Sequence, residues 1–283
     1  MRETSSHYAS EGGIQIARRA FLPSNSPPFV ALILVHGLGD HTERYREALT
    51  DLVDSGVAIF GADFPGHGYS GGKRGHFESF DQLHGIIDET IDHARGEIPA
   101  EIPLGIFAHS MGGLITLDLL RKNTDPFSFA WISATLIDAN WNRPRILSPI
   151  IRTAKHFLPG MTFATGVEPA KLYPDASTPS PAAVEKSHRR ISVNAAYELL
   201  AARDRIHRDM HSIPVDFPIL FTHGTDDEVC PHALAQEFFQ TLPGNGETKT
   251  FQSYDGVLHE PWRFPRVRDA VCAWIKSLIQ PQK

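Results

Sequence analysis

Three residues in this chain have the types and the order that nucleophilic acyl chemistry needs: a serine, an aspartate and, last, a histidine. A serine hydroxyl is a weak nucleophile at neutral pH. It becomes competent when an imidazole takes its proton and a carboxylate orients that imidazole. Ser110 sits in Ala108-His109-Ser110-Met111-Gly112, between an apolar run, Ile102 to Ala108, and a helical pattern of Leu114, Ile115, Leu117, Leu119 and Leu120. That is a strand, a sharp turn and a helix with the serine at the tip. Such a turn requires small residues two before and two after the serine. Ala108 and Gly112 supply them, so the pattern is A-x-S-x-G instead of G-x-S-x-G. The elbow points the N–H of Met111 at a reacting oxygen and sets the positive end of a helix under the site. Taken alone, the same stretch also reads as a serine N-cap on an ordinary helix.

The partners follow in chain order. A strand expected over Phe217 to Thr222 ends in His223-Gly224-Thr225-Asp226-Asp227-Glu228. Another, near Thr248 to Ser253, ends in Tyr254-Asp255-Gly256-Val257-Leu258-His259-Glu260. Strand ends are where an acid and a base can face the elbow, so His259 is the expected general base. The acid comes from Asp226, Asp227 and Glu228, of which only one can point at His259; the others are left to solvent or to helix capping. A second oxyanion donor is expected from the loop after the strand Phe29 to Val35, at the backbone of Leu38 in His36-Gly37-Leu38-Gly39. His36, His67 and His109 read as loop braces. Gly66, Gly68, Gly71 and Gly72 read as turn formers, since they lack the lysine spacing of a phosphate loop. Cys230 follows the acid loop, and either borders the pocket or packs as a small hydrophobe.

The elements that must hold these residues alternate. Strands are expected at Phe29–Val35, Val57–Ala62, Ile102–Ala108, Phe129–Leu136, Phe217–Thr222 and Thr248–Ser253, with Gly12 to Ala20 as an edge strand. Helices are expected near Thr42–Asp54, Phe80–Arg95, Pro231–Thr241 and Arg266–Ile279. This order predicts an α/β fold with a mostly parallel central sheet and helices on both faces. Residues 1–138 and 214–283 form the core domain on this reading. Residues 139–213, with helical fragments near Pro144–Leu158 and Val193–Asp209 between proline-rich loops, are an inserted cap. Its first helix, Pro144 to Leu158, can put Ile146, Ile150, Ile151, Phe157 and Leu158 on one face, which is expected to line an apolar pocket. Arg143, Arg145, Arg152 and Lys155 lie on the polar side, a pattern also compatible with transient contact with a lipid surface.

Composition narrows the class. The chain has 283 residues, 41% hydrophobic and 21% charged, with net charge −6. No long basic stretch occurs, so nucleic acid is not an expected partner. The polar start, Met1 to Glu11, is not a signal peptide, and no apolar run approaches the roughly 20 residues that span a bilayer. Two cysteines, Cys230 and Cys272, make no disulfide framework, and a cytoplasmic setting with free thiols is expected.

The motifs together resemble the monoacylglycerol lipase and lysophospholipase branch of the serine α/β-hydrolases, the S33-like family. They are His36-Gly37-Leu38-Gly39-Asp40-His41 with Arg44-Tyr45, Asp63-Phe64-Pro65-Gly66-His67-Gly68-Tyr69-Ser70, Lys73-Arg74-Gly75-His76, Ala108 to Gly113, His188-Arg189-Arg190-Ile191-Ser192, His223-Gly224-Thr225-Asp226-Asp227 and Leu258-His259-Glu260. Only about Arg143 to Pro181 lacks a counterpart. The resemblance implies the α/β-hydrolase fold, Ser110 as nucleophile, His259 as base and Asp227, three residues after Gly224, as the acid. It implies an oxyanion hole from Leu38 and Met111. It implies hydrolysis of lipid esters, typically monoacylglycerols, with no metal or cofactor. A short-chain esterase, a thioesterase, a peptidase or a slow-turnover receptor could be built from the same parts.

Overall fold

The computed structural model describes residues 1–138, 147–174 and 178–279. The strands are β1 (Arg2–Ala9), β2 (Gln15–Leu22), β3 (Val30–Val35), β4 (Val57–Ala62), β5 (Leu104–His109), β6 (Phe129–Ser133), β7 (Thr162–Ala164), β8 (Arg190–Ser192), β9 (Ile219–Gly224) and β10 (Lys249–Tyr254). The helices are α1 (Thr50–Asp54), α2 (Phe80–Glu97), α3 (Met111–Leu120), α4 (Leu147–Ala154), α5 (Pro181–Val184), α6 (Val193–Asp209), α7 (His232–Thr241) and α8 (Pro265–Ile279). Eight strands make one sheet in the order β1-β2-β4-β3-β5-β6-β9-β10. The six strands from β4 to β10 pair in parallel. The pairs β1–β2 and β2–β4 are antiparallel.

The parallel strands are continuous apolar runs because both sheet faces are covered. On one face, Ile33 and Ile106 pack with Leu83 and Ile87 of α2 and Leu114 of α3. On the other, Leu32, Phe107 and Trp131 pack with Val271 and Ile275 of α8. Each such burial contributes roughly 1.5–3 kcal/mol. The site loops all leave the C-terminal ends of these parallel strands, the end where α/β sheets bind ligands.

Several elements differ from the sequence reading. The sheet edge is β1, not the strand expected at Gly12 to Ala20, which lies one place further in as β2. β1 is Arg-Glu-Thr-Ser-Ser-His-Tyr-Ala, a polar run that holds its place by backbone pairing along its whole length and so carries no hydrophobic signal. The helix expected over Thr42 to Asp54 is split into a 3-10 turn, Thr42–Tyr45, and the short α1. Its first turn is tightened where Arg44 and Tyr45, adjacent in sequence, both go inward. Of the helix expected over Pro144 to Leu158, residues 144–146 lie outside the described residues, and α4 ends at Ala154. The inserted segment also holds a two-stranded sheet of β7 and β8, three residues each, too short to register as a pattern.

The long helix of that segment, α6, is bolted to the core. Asp118 of α3 is fully buried and accepts bonds from Arg121 Nε at 2.8 Å and from Arg205 Nε and Nη2 of α6 at 2.9 and 3.1 Å. Removing one member of a buried ion cluster leaves the others uncompensated, at a cost of about 3–5 kcal/mol. Asp118→Ala is therefore expected to lower the denaturant-derived stability by about that amount. A loss under about 1 kcal/mol would mean that the cluster does not anchor α6.

Candidate active site

The site begins with backbone strain. Ser110, between β5 and α3, has φ 54° and ψ −119°, a conformation that L-residues rarely adopt. Neighbours hold it there. Its N–H donates to the Ser133 carbonyl at 3.0 Å, and its carbonyl accepts from Leu136 N–H at 3.0 Å. A Cβ on Gly112 would lie 2.1 Å from the Val35 carbonyl oxygen, so only glycine lets α3 pass this close to β3. Ala108 fits fully buried in the strand below.

Three side chains from three loops meet at this point. His259 Nε2 lies 2.9 Å from Ser110 Oγ, and His259 Nδ1 lies 2.8 Å from Asp227 Oδ2. The other oxygen of Asp227 accepts from the Val229 and Cys230 N–H groups, both at 2.8 Å. His223 Nε2–H bonds the Cys230 carbonyl at 2.7 Å and reaches Asp227 Oδ2 at 3.1 Å. Burial alone would raise the Asp227 pKa. The charge and hydrogen bonds of His259 and His223 outweigh it and hold the carboxyl well below its usual range. Asp227 thus remains a carboxylate that orients the His259 Nδ1–H tautomer. Asp226 is exposed and accepts from Thr225 Oγ1 at 2.9 Å, away from His259. Leu38 and Met111 both border the cavity beside Ser110. The Met111 N–H opens α3 and so has no partner within that helix.

His36, His67 and His109, in these loops, brace backbone. His36 donates from Nδ1 to the Gly37 carbonyl and accepts from Phe64 N–H, at 2.8 and 3.0 Å. His67 and His109 donate to the carbonyls of Pro65 and Ser133. His109 also packs between His259 and Trp262, and Tyr45 stacks on Trp262 at 4.3 Å. Glycines Gly66 and Gly68 turn a loop closed around the Asp63 carboxylate, which binds Thr42 and Tyr69. Cys230 lines the cavity with Sγ 4.0 Å from Ser110 Oγ, and burial pushes its thiol well up, so it stays protonated. Among the described residues no three His, Cys, Asp or Glu side chains converge as a metal site, and no helix is long and apolar enough to cross a membrane.

Above Ser110 opens a cavity of about 740 Å³ between the core loops and the inserted segment. Its apolar wall includes Leu136, Ile151, Phe163, Leu199, Leu200 and Val229. Of the five residues expected to line it, Ile151 does. Ile146 lies outside the described residues. Ile150, Phe157 and Leu158 are 52%, 77% and 52% exposed and do not border it. The reason is geometric: α4 is short, and the chain turns out of the helix after Ala154, which carries Phe157 and Leu158 to the surface. The lining comes instead from β7 and α6. Leu199 and Leu200 sit in a helix legible in the sequence, but their aim toward the serine depends on the Asp118–Arg205 anchor.

This fold and this site define a serine hydrolase of the α/β-hydrolase class. A family model described as serine aminopeptidase, S33, matches residues 26–263, and the chain belongs to that family. The monoacylglycerol lipase of Mycolicibacterium smegmatis is 24% identical over 280 residues, covering 95% of this chain and 96% of its own. An uncharacterized abhydrolase domain-containing protein of Dictyostelium discoideum is 25% identical over 264 residues; this chain spans 90% of itself but 27% of that longer protein. The crystal structure of Paleococcus ferrophilus monoacylglycerol lipase superposes with a TM-score of 0.79 at 27% identity, over 93% of this chain and 99% of that one.

His188 closes the site from the inserted segment. Its N–H donates to the Gly39 carbonyl at 2.9 Å, and its ring Nε2–H donates to the Gly66 carbonyl at 3.1 Å. A Cβ on Gly39 would collide with the His188 carbonyl at 1.9 Å, which fixes that close approach. Burial pushes the His188 pKa down from 6.5 to about 4, with Arg74 and His36 acting the same way against the Gly66 bond. The unfolded chain therefore takes this proton at a higher pH than the folded chain. The resulting stability is full above pH 6.5 and is lost as pH falls toward 4. The melting temperature is expected to fall across that window, and His188→Gln to fall less steeply. An identical pH slope in the variant would contradict the assignment.

Proposed function

We propose that the chain hydrolyses carboxylic esters of lipids, monoacylglycerols foremost, with Ser110 as nucleophile, His259 as general base and Asp227 as the orienting acid. The observation that carries this reading is the line of two hydrogen bonds, 2.9 and 2.8 Å, that ends on a serine facing a large apolar-walled cavity. Ser110 Oγ attacks the ester carbonyl while His259 Nε2 takes its proton. The oxyanion rests on the N–H groups of Leu38 and Met111, each donor supporting roughly 10²–10³ in rate. The imidazolium then protonates the leaving alcohol. Water, deprotonated by His259, cleaves the acyl-enzyme and frees the acid.

Charge in the cavity favours an ester over a peptide with a free amino terminus. The carboxylates that border the cavity are Asp40, Glu228 and Glu260. Each is already paired: Asp40 and Glu260 with Arg44, and Glu228 with Lys171. Among the described residues, each of the three already has a cation beside it. On this reading residues 1–138 and 214–283 are the hydrolase core, and residues 139–213 are a lid that shapes the acyl pocket. The lid also presents Ile150, Phe157, Leu158 and Met161 to solvent, near Arg152, which pairs with Asp204, and Lys155, which lies over the Tyr197 ring. An apolar edge with flanking cations suits transient contact with a lipid surface that holds the substrate.

Ser110→Ala is expected to abolish turnover with the fold intact, and Asp227→Asn to cut kcat by about 10³–10⁴ while Asp226→Asn stays within about twofold. An active Ser110→Ala protein, or a larger loss at Asp226, would sink these assignments. A p-nitrophenyl ester series tests the pocket: kcat/KM should rise from acetate to medium or long chains. A maximum at acetate or butyrate would make the enzyme a short-chain esterase. Phe157→Asp should slow hydrolysis of monoacylglycerol in vesicles but leave a soluble short ester unaffected; equal effects on both would remove the lid from surface binding.

A further inference from the structure

One short turn of the inserted segment grips both loops that deliver the proposed acid and base. It comprises the 3-10 turn Pro169–Lys171 and the two residues after it. Lys171 Nζ lies 2.9 Å from Glu228 Oε2, and Glu228 follows Asp227 in the chain. One residue on, the Leu172 carbonyl accepts from the Glu260 N–H at 3.0 Å, and Glu260 follows His259. At the next residue, the Tyr173 ring packs against the guanidinium groups of Arg44 and Arg263, 5.5 and 5.2 Å from its centroid. Those two guanidiniums hold the carboxylate of Glu260, whose side chain is 1% exposed. Arg44 is also paired with Asp40, 3.3 Å away.

The three contacts differ in weight. The Lys171–Glu228 pair is open to water and is worth little. The buried Arg44–Glu260–Arg263 cluster is sensitive to hydration, and an aromatic face over two desolvated cations contributes more than at an exposed site. Tyr173 covers that cluster, and the cluster fixes the residue next to His259.

We propose that the turn Lys171–Tyr173 is a positioning element, through which seating of the inserted segment sets the alignment of His259 with Ser110 and Asp227. Tyr173 acts through Glu260, not on the reacting atoms. The inference rests on the triad assigned above. It makes the segment more than a pocket wall: a displaced segment loosens the base as well as opening the cavity.

The test is steady-state hydrolysis of p-nitrophenyl acetate, whose acyl group is too short to need the apolar wall, by wild type, Tyr173→Ala, Tyr173→Leu, Tyr173→Phe and Lys171→Ala. Far-UV circular dichroism and thermal melts report folding. Tyr173→Ala should lose about tenfold or more in kcat with KM within about twofold, because misplacing a catalytic group by a fraction of an ångström is costly. Tyr173→Leu fills the space without an aromatic face and should show the same loss, which keeps the test valid if the alanine variant unfolds. Tyr173→Phe should recover most of the rate, and Lys171→Ala should stay within about threefold. Folded Tyr173→Ala or Tyr173→Leu with wild-type kcat, a loss confined to KM, or no recovery in Tyr173→Phe would each overturn the inference alone. A wild type inert toward the ester would overturn the triad and this inference together.

Discussion

The site depends on a serine held where serine does not rest on its own. A non-glycine residue at φ 54° and ψ −119° stores strain of about 1–3 kcal/mol, and it persists only where the surroundings over-determine it. Here the parallel strand pairing below, the bonds to Ser133 and Leu136, and the contact of Gly112 with the Val35 carbonyl all converge on that one residue. The strain lifts the hydroxyl out of the sheet edge and starts α3 directly beneath it. An unstrained turn would bury the hydroxyl among the loop backbones.

Around this point the loops are organised in tiers. His259 contacts the serine, and Asp227 contacts His259. Backbone N–H groups and His223 satisfy Asp227, and a stack of His109, Trp262 and Tyr45 supports the imidazole from below. Each tier fixes the one above it, so the serine hydroxyl meets an imidazole of set tautomer. The inserted segment then supplies apolar surface over the serine. It is held at Asp118 through α6 and at Gly39 through His188.

Much of this is legible in the sequence, for definite reasons. Val30–Val35, Val57–Ala62 and Leu104–His109 are buried on both faces and read as apolar runs; α6 follows its apolar spacing from Val193 to Asp209. The elbow advertises itself through residue size at Ala108 and Gly112. What was not legible depends on contacts distant in sequence. β1 carries no hydrophobic pattern because main-chain pairing defines it. The local pattern does not separate Asp226 from Asp227, because that depends on which way a two-residue turn faces; only the family spacing after Gly224 points to Asp227. The pocket wall at Phe163, Leu199 and Leu200 depends on how the inserted segment docks, and helical periodicity put Phe157 and Leu158 inside because it takes no account of where a helix stops. The Arg44–Glu260 pair joins residues 216 apart; both lie in recognisable motifs, but neither motif names the other as its partner.

The most direct measurement of the central claim is covalent labelling with a fluorophosphonate, which reacts with a serine only when a base activates it. Peptide mapping by mass spectrometry should place a single adduct on Ser110, formed many-fold more slowly in His259→Ala. An unlabelled protein, or an adduct on another residue with Ser110 free, would contradict the account.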